Sequence, residues 1–134
     1  MPISFQFQGL ILYKPVLDYV LNDPKGDVGR YLNKLGRILV IAARKQVGVD
    51  TGLLRASIHM NHFRNGLGQY IWIGSEDPIA LMHHEGTKPH IILPKRHEFL
   101  RFSSGGRVIY SRVVNHPGTR PNRYLSDSLI LVRI

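Results

Sequence analysis

At 134 residues and 43% hydrophobic side chains, the chain has the size of one domain with enough apolar mass for a modest shared core. No apolar run approaches the roughly 18 to 20 residues that span a bilayer, and Met1-Pro2-Ile3-Ser4 lacks the basic-then-apolar pattern of an export signal, so neither a membrane partner nor targeting is expected. With no cysteine there is no disulfide framework and no thiolate metal site, while a formal charge of +9 implies an acidic partner, either nucleic acid or an acidic protein surface.

Ser4 to Gln8 alternates polar and apolar residues as a half-buried strand does. Pro15 suits the first turn of a short helix through Leu21, and Asn22 to Gly26 reads as a turn. From Asp27, the expected cap, apolar residues recur at steps of three and four to Ala42, which predicts a long amphipathic helix ending near Gly48. Its stripe Leu32, Leu35, Leu39 and Ala42 is expected to face a sheet. After Gly52 come short strand-like segments: Leu54 to Phe63, Gln69 to Gly74, His90 to Leu93, Phe99 to Phe102 and Arg107 to Val114. Ser103-Ser104-Gly105-Gly106 predicts a hairpin turn. Pro121 to Ile134, with Leu125, Leu129 and Val132 in helical spacing, predicts a closing helix. The expected architecture is α+β, one long amphipathic helix packed on a curled antiparallel sheet, with a short C-terminal helix.

Four features carry the functional argument. Val49 to Ile58 contains Asp50-Thr51-Gly52, the triplet of a retroviral-type aspartic protease, where two chains would share one proton between two such aspartates. A catalytic aspartate should follow an apolar strand, however, and Asp50 follows the amphipathic helix. The favoured expectation is a structural turn, with Asp50 or Thr51 bonding local backbone and Gly52 supplying a permissive φ. The second feature is an internal echo: His84-Glu85-Gly86-Thr87-Lys88-Pro89-His90 returns 32 residues later as His116-Pro117-Gly118-Thr119-Arg120-Pro121-Asn122. Two copies do not build a solenoid, so two matched loops are expected, Gly86, Thr87, Gly118 and Thr119 shaping the turns and Lys88 and Arg120 pointing outward to an acidic partner.

Histidines form the third feature: His83, His84, His90, His97 and His116, near Glu85 and Glu98, raise a His-metal nuclease as an alternative. Adjacent strand residues point to opposite faces, and with only 9 Asp plus Glu there are few carboxylates to hold magnesium, so no metal or other cofactor is expected. The fourth is the basic stretch Lys95 to Phe102 with Arg107, Arg112, Arg120 and Arg123, which keeps a basic nucleic-acid-binding module as a further alternative.

Together these residues resemble the small neck proteins of long-tailed bacteriophages, the tail-completion or head-to-tail joining family often annotated minor capsid or tail component. Val49 to Ile58 resembles the family's Val-Asp-Thr-Gly-x-Leu-Arg-x-Ser-Ile signature, and His84 to Thr87 its Glu/His-x-Gly-Thr turn. Pro89 to Phe102 and His116 to Leu125 resemble the continuation found in phages of actinobacteria. The likeness covers roughly residues 27 to 130, leaving 1–24 as an arm outside it. It implies a structural virion protein without catalytic residues: a homo-oligomeric, sixfold ring at the head-tail junction, assembled in the host cytoplasm. Its expected partners are an adjacent connector or stopper ring, the tail tube or tail terminator, and genomic DNA passing through the lumen unread. His84, Glu85, Lys88, His116, Arg120 and Arg123 are the expected interface residues.

Overall fold

A computed structural model describes residues 13–66 and 68–132. The strand expected at residues 4–8 lies outside them. Helix α1 (Lys14–Asn22) opens with Pro15 in its first turn, where the missing N–H is one no helix uses. The chain then doubles back so tightly that a Cβ on Gly26 would lie 2.0 Å from the Tyr19 carbonyl oxygen. Helix α2 (Asp27–Gln46) follows, about 30 Å long. Asp27 is not its cap. Gly26 holds that position, and Asp27, inside the first turn, pairs with Arg30 while complementing the helix dipole.

The buried line of α2 runs through Gly36, Leu39 and Ala43 to Val47 just beyond it, whereas Leu32, Leu35 and Ala42 are half-buried. The contact face is therefore turned about one residue from the predicted stripe. Small residues are the cause: a Cβ on Gly36 would stand 2.5 Å from the Met60 sulfur and 2.9 Å from Ile71 Cδ1, so the helix lies closest where it carries no side chain. Leu39→Ala should accordingly cost about 2 to 5 kcal/mol in urea unfolding, and Leu35→Ala clearly less; equal losses would restore the predicted stripe.

Gly52, at φ +84, turns the chain out of α2 into a short helix α3 (Leu53–Ser57). The strand predicted from Leu54 thus starts late: Leu54 and Ile58 stand four residues apart and both enter the core, a spacing that puts them on one face of a helix and of a strand alike, so the pattern does not separate the two. Strands β1 (His59–Asn65) and β2 (Gly68–Gly74) form a hairpin in register from His59↔Gly74 to Asn65↔Gly68, and α2 packs on it. Helix α4 (Ala80–Glu85), where no element was predicted, starts from an Asp77-Pro78 turn in which the Asp77 carboxylate accepts the Ile79 N–H at 3.0 Å.

Strands β3 (His90–Ile92), β4 (Leu100–Ser104), β5 (Arg107–Ser111) and β6 (Val114–His116) follow, then helix α5 (Tyr124–Leu131). The segment predicted as one strand from Arg107 to Val114 is broken at Arg112–Val113, where the Ser111 hydroxyl donates to the Val113 carbonyl at 2.6 Å. The β4–β5 hairpin closes on Gly105 and Gly106, both at positive φ as a tight hairpin turn demands. The class is the expected mixed α+β, with a long helix, antiparallel strands and a short C-terminal helix; the described strands are distributed over three two-stranded ladders, β1–β2, β3–β6 and β4–β5.

The core gathers Ala43, Val47, Leu54, Ile58, Ala80 and Tyr124 at the C-terminal end of α2, flanked by Val40 and Leu125. On α5 it is Tyr124 and Ser128 that are buried, and Leu129 of the predicted stripe is 62% exposed. The Arg44 guanidinium donates to the Ile58 carbonyl at 2.6 and 3.1 Å, fixing α2 to the start of β1.

Candidate functional site

The two echoed loops meet each other. Thr87 and Thr119 form an antiparallel bridge, the Thr87 N–H donating to the Thr119 carbonyl at 3.1 Å and the Thr119 N–H to the Thr87 carbonyl at 3.0 Å, with their hydroxyls 3.1 Å apart. The bridge extends the β3–β6 ladder in the same register, in which His90 faces His116 with ring centroids 4.9 Å apart. A Cβ on Gly86 would stand 2.5 Å from the Thr119 oxygen, and one on Gly118 would stand 2.2 Å from the Thr87 oxygen. Each copy's glycine therefore makes room for the other copy's threonine, with φ +74 at Gly86 and +85 at Gly118. The repeat is a local twofold clasp. Its Gly and Thr side of the motif builds the fold, and Lys88 and Arg120 stand exposed on its outside.

Two of the six expected interface residues are held inward. His84, with a side chain only 14% exposed, places Nδ1 2.7 Å from a Glu85 oxygen, Nε2 3.2 Å from the Ser126 hydroxyl, and its ring edge-on to Tyr124. His116 is half-buried and accepts the Gly118 N–H at 3.1 Å through Nδ1. Glu85, Lys88, Arg120 and Arg123 are exposed. The Ser126, His84, Glu85 chain runs hydroxyl, imidazole, carboxylate, the order of a hydrolytic triad. In such triads the carboxylate is buried so that it holds the imidazole in one orientation. Here Glu85 is 56% exposed, and the chain of bonds serves to pin α4 to α5. The sequence offered no signal for this contact, since Ser126 lies 42 residues from His84.

His83 accepts the Gly48 N–H at 3.2 Å, and Asn122 donates to the Gln46 carbonyl at 3.1 Å, so α4 and the second loop close over the C-terminal end of α2. Tyr124, fully buried among them, makes no hydrogen bond through its hydroxyl, and burial, with the Asp77 carboxylate as a lesser cause, pushes its pKa above the ordinary value. Asp50 is exposed, at the mouth of a pocket of about 300 Å³ lined by residues 48–52, Leu54, Ile79 and His83. Beside it the Thr51 hydroxyl accepts the Leu53 N–H at 3.4 Å. Among the described residues no group of three or more His, Cys, Asp or Glu is placed to hold a metal ion, and no helix is long and apolar enough to cross a membrane.

The accessible surface is 11389 Å², whereas a compact chain of 15.3 kDa exposes about 7,100 Å². The excess of about 4,200 Å² is more than the about 2,500 Å² that the fifteen residues outside the description could add even in a fully unfolded chain. Large apolar side chains are among the exposed residues: Leu81 (71%), Leu129 (62%), Ile130 (77%) and Tyr110 (64%) stand in solvent. No protein-family model matches the chain, and neither a curated protein nor a solved structure is significantly similar to it.

Proposed function

We propose that this chain is a structural subunit of the neck of a long-tailed bacteriophage, repeated around a sixfold ring between the head-side connector and the tail tube or its terminator, with the genome passing through the lumen. The observation that carries the reading is the excess surface: beyond what the fifteen undescribed residues could add, the chain alone exposes about 1,700 Å² more than a compact monomer of its mass, with large apolar side chains among the exposed residues, an area of the size that a specific protein contact buries. The ordered likeness of Val49 to Ile58, His84 to Thr87, Pro89 to Phe102 and His116 to Leu125 to neck proteins supports a place for it at the head-tail junction. Lys88 and Arg120, repeated around an axis, would present rings of positive charge to the layers above and below, and the net charge of +9 suits a lumen that DNA traverses. An antibody raised against the chain should decorate virions at the head-tail junction in electron micrographs. Label on the capsid shell or the tail tip, or none on the virion, would overturn the assignment.

The reading includes no catalysis. The purified chain should cleave neither peptides nor activated esters, and Asp50→Asn and Ser126→Ala should change nothing in either assay. Pepstatin-sensitive cleavage lost in Asp50→Asn, or ester hydrolysis lost in Ser126→Ala, would replace the structural reading with an enzymatic one.

A further inference from the structure

The β4–β5 hairpin and the groove beside Asp50 are complementary surfaces of one chain. The hairpin packs chiefly on itself, no other helix or strand of the described residues lying firmly against it. A two-stranded hairpin alone is marginally stable in water, so it gains order only by lying on something. Opposite partners share a face, and one face carries Arg101 with Tyr110 and Ser103 with Val108, Tyr110 being 64% and Val108 48% exposed. From Lys95 to Arg112 there are five cations and one carboxylate, Glu98, which already pairs with Arg112. The projecting arm is basic and apolar together.

The groove carries the opposite sign: its lining includes the Asp50 carboxylate and no Lys or Arg, and Glu76 and Asp77 lie just before its Ile79 in the chain. Its pocket of about 300 Å³ is lined by apolar residues left in water, Val49 at 55% and Ile79 at 51% exposure, and Leu53, between the lining residues Gly52 and Leu54, is 68% exposed. DNA would satisfy the arginines of the hairpin but offers nothing to Val108, and it would be repelled by the groove. Both surfaces are answered at once by a second copy of the chain.

Resting on the ring reading above, we infer that the Arg101–Tyr110–Val108 face of the hairpin of one copy seats on the acidic groove at Asp50 and Ile79 of the next. The contact joins two different surfaces, so it is heterologous and propagates from copy to copy until it closes into a ring. Opposite charge at the rim selects the register, and the apolar residues between supply the burial.

Because the chain has no cysteine, thiols can be placed at will. The purified double variant Leu53→Cys/Val108→Cys, both sites exposed, should on oxidation give a ladder of covalent multimers on a non-reducing gel, while each single variant gives at most a dimer. Adding Arg101→Glu/Arg107→Glu should abolish the bands above dimer, as should Asp50→Lys/Glu76→Lys, and combining both reversals should restore them. No ladder, or a ladder indifferent to the reversals, overturns the contact. So does a hairpin reversal that leaves the ladder intact but abolishes salt-dependent retention of plasmid DNA, which would make the hairpin a nucleic-acid arm. An immunoblot of purified virions separates the two readings. A chain present in virions without a ladder sinks the contact alone, and a ladder from a chain absent from virions sinks the neck assignment alone.

Discussion

Replacing Tyr124 with alanine should lower stability by about 3 to 5 kcal/mol, enough to unfold much of a marginally stable domain. Among the described residues Tyr124 is the largest fully buried side chain, it closes the core formed by Ala43, Val47, Leu54, Ile58 and Ala80, and the rings of His83 and His84 pack on it at 5.9 and 5.5 Å. A cavity there would face four different elements, none free to collapse into it without dragging the clasp along. Tyr124→Phe should behave oppositely. Its hydroxyl makes no hydrogen bond, so removing it deletes a desolvated polar group and should be neutral or stabilising. The pH dependence follows from the raised pKa of the buried phenol. Between the unfolded value of about 10 and the higher folded value, the unfolded chain ionises while the folded one does not. The stabilisation is therefore complete below pH about 10 and is lost as pH rises through the folded value, a loss the Phe variant should not show. Urea unfolding across pH 8 to 11 reads both effects; an alkaline decline identical in the two proteins would mean that Tyr124 is not buried as described.

The second large effect belongs to the clasp. Gly118→Ala should cost about 2 to 4 kcal/mol, because alanine at φ +85 is strained and its Cβ would press on the Thr87 carbonyl from 2.2 Å. Gly86→Ala should do nearly the same, since its Cβ would meet the Thr119 carbonyl at 2.5 Å. In contrast, Lys88→Glu with Arg120→Glu should shift stability by no more than about 0.5 kcal/mol, both side chains being exposed. The same double variant should block head-to-tail joining in a complementation assay, with unjoined heads and tails accumulating. Normal phage yield would remove Lys88 and Arg120 from the interface, and a large loss of melting temperature would place them in the fold with their glycines.

Much of the fold was legible in the sequence, and the failures have physical causes. The three-and-four spacing from Val28 to Ala42 marked α2, and Gly105-Gly106 marked the β4–β5 hairpin. The buried face of α2 is turned from the predicted stripe because Gly36 and Ala43, and not the bulkier Leu32 and Leu35, lie buried against its neighbours. Helices α3 and α4, five and six residues long, are too short to carry periodicity and are held by tertiary contacts such as Leu54 and Ala80 in the core. The echo at residues 84 and 116 was visible, but a repeat does not say what its copies touch. That they clasp each other is set by the register of β3 and β6. The same ladder and the bond to Ser126 drew His116 and His84 inward, leaving Glu85, Lys88, Arg120 and Arg123 as the outward members of the expected interface.

The central claim is that this chain joins heads to tails. Electron micrographs of a lysate from a phage lacking its gene test it most directly: DNA-filled heads and finished tails should both be abundant and should remain separate, and supplying the chain in trans should restore joined virions. Intact infectious particles in that lysate, or empty heads without packaged DNA, would contradict the account.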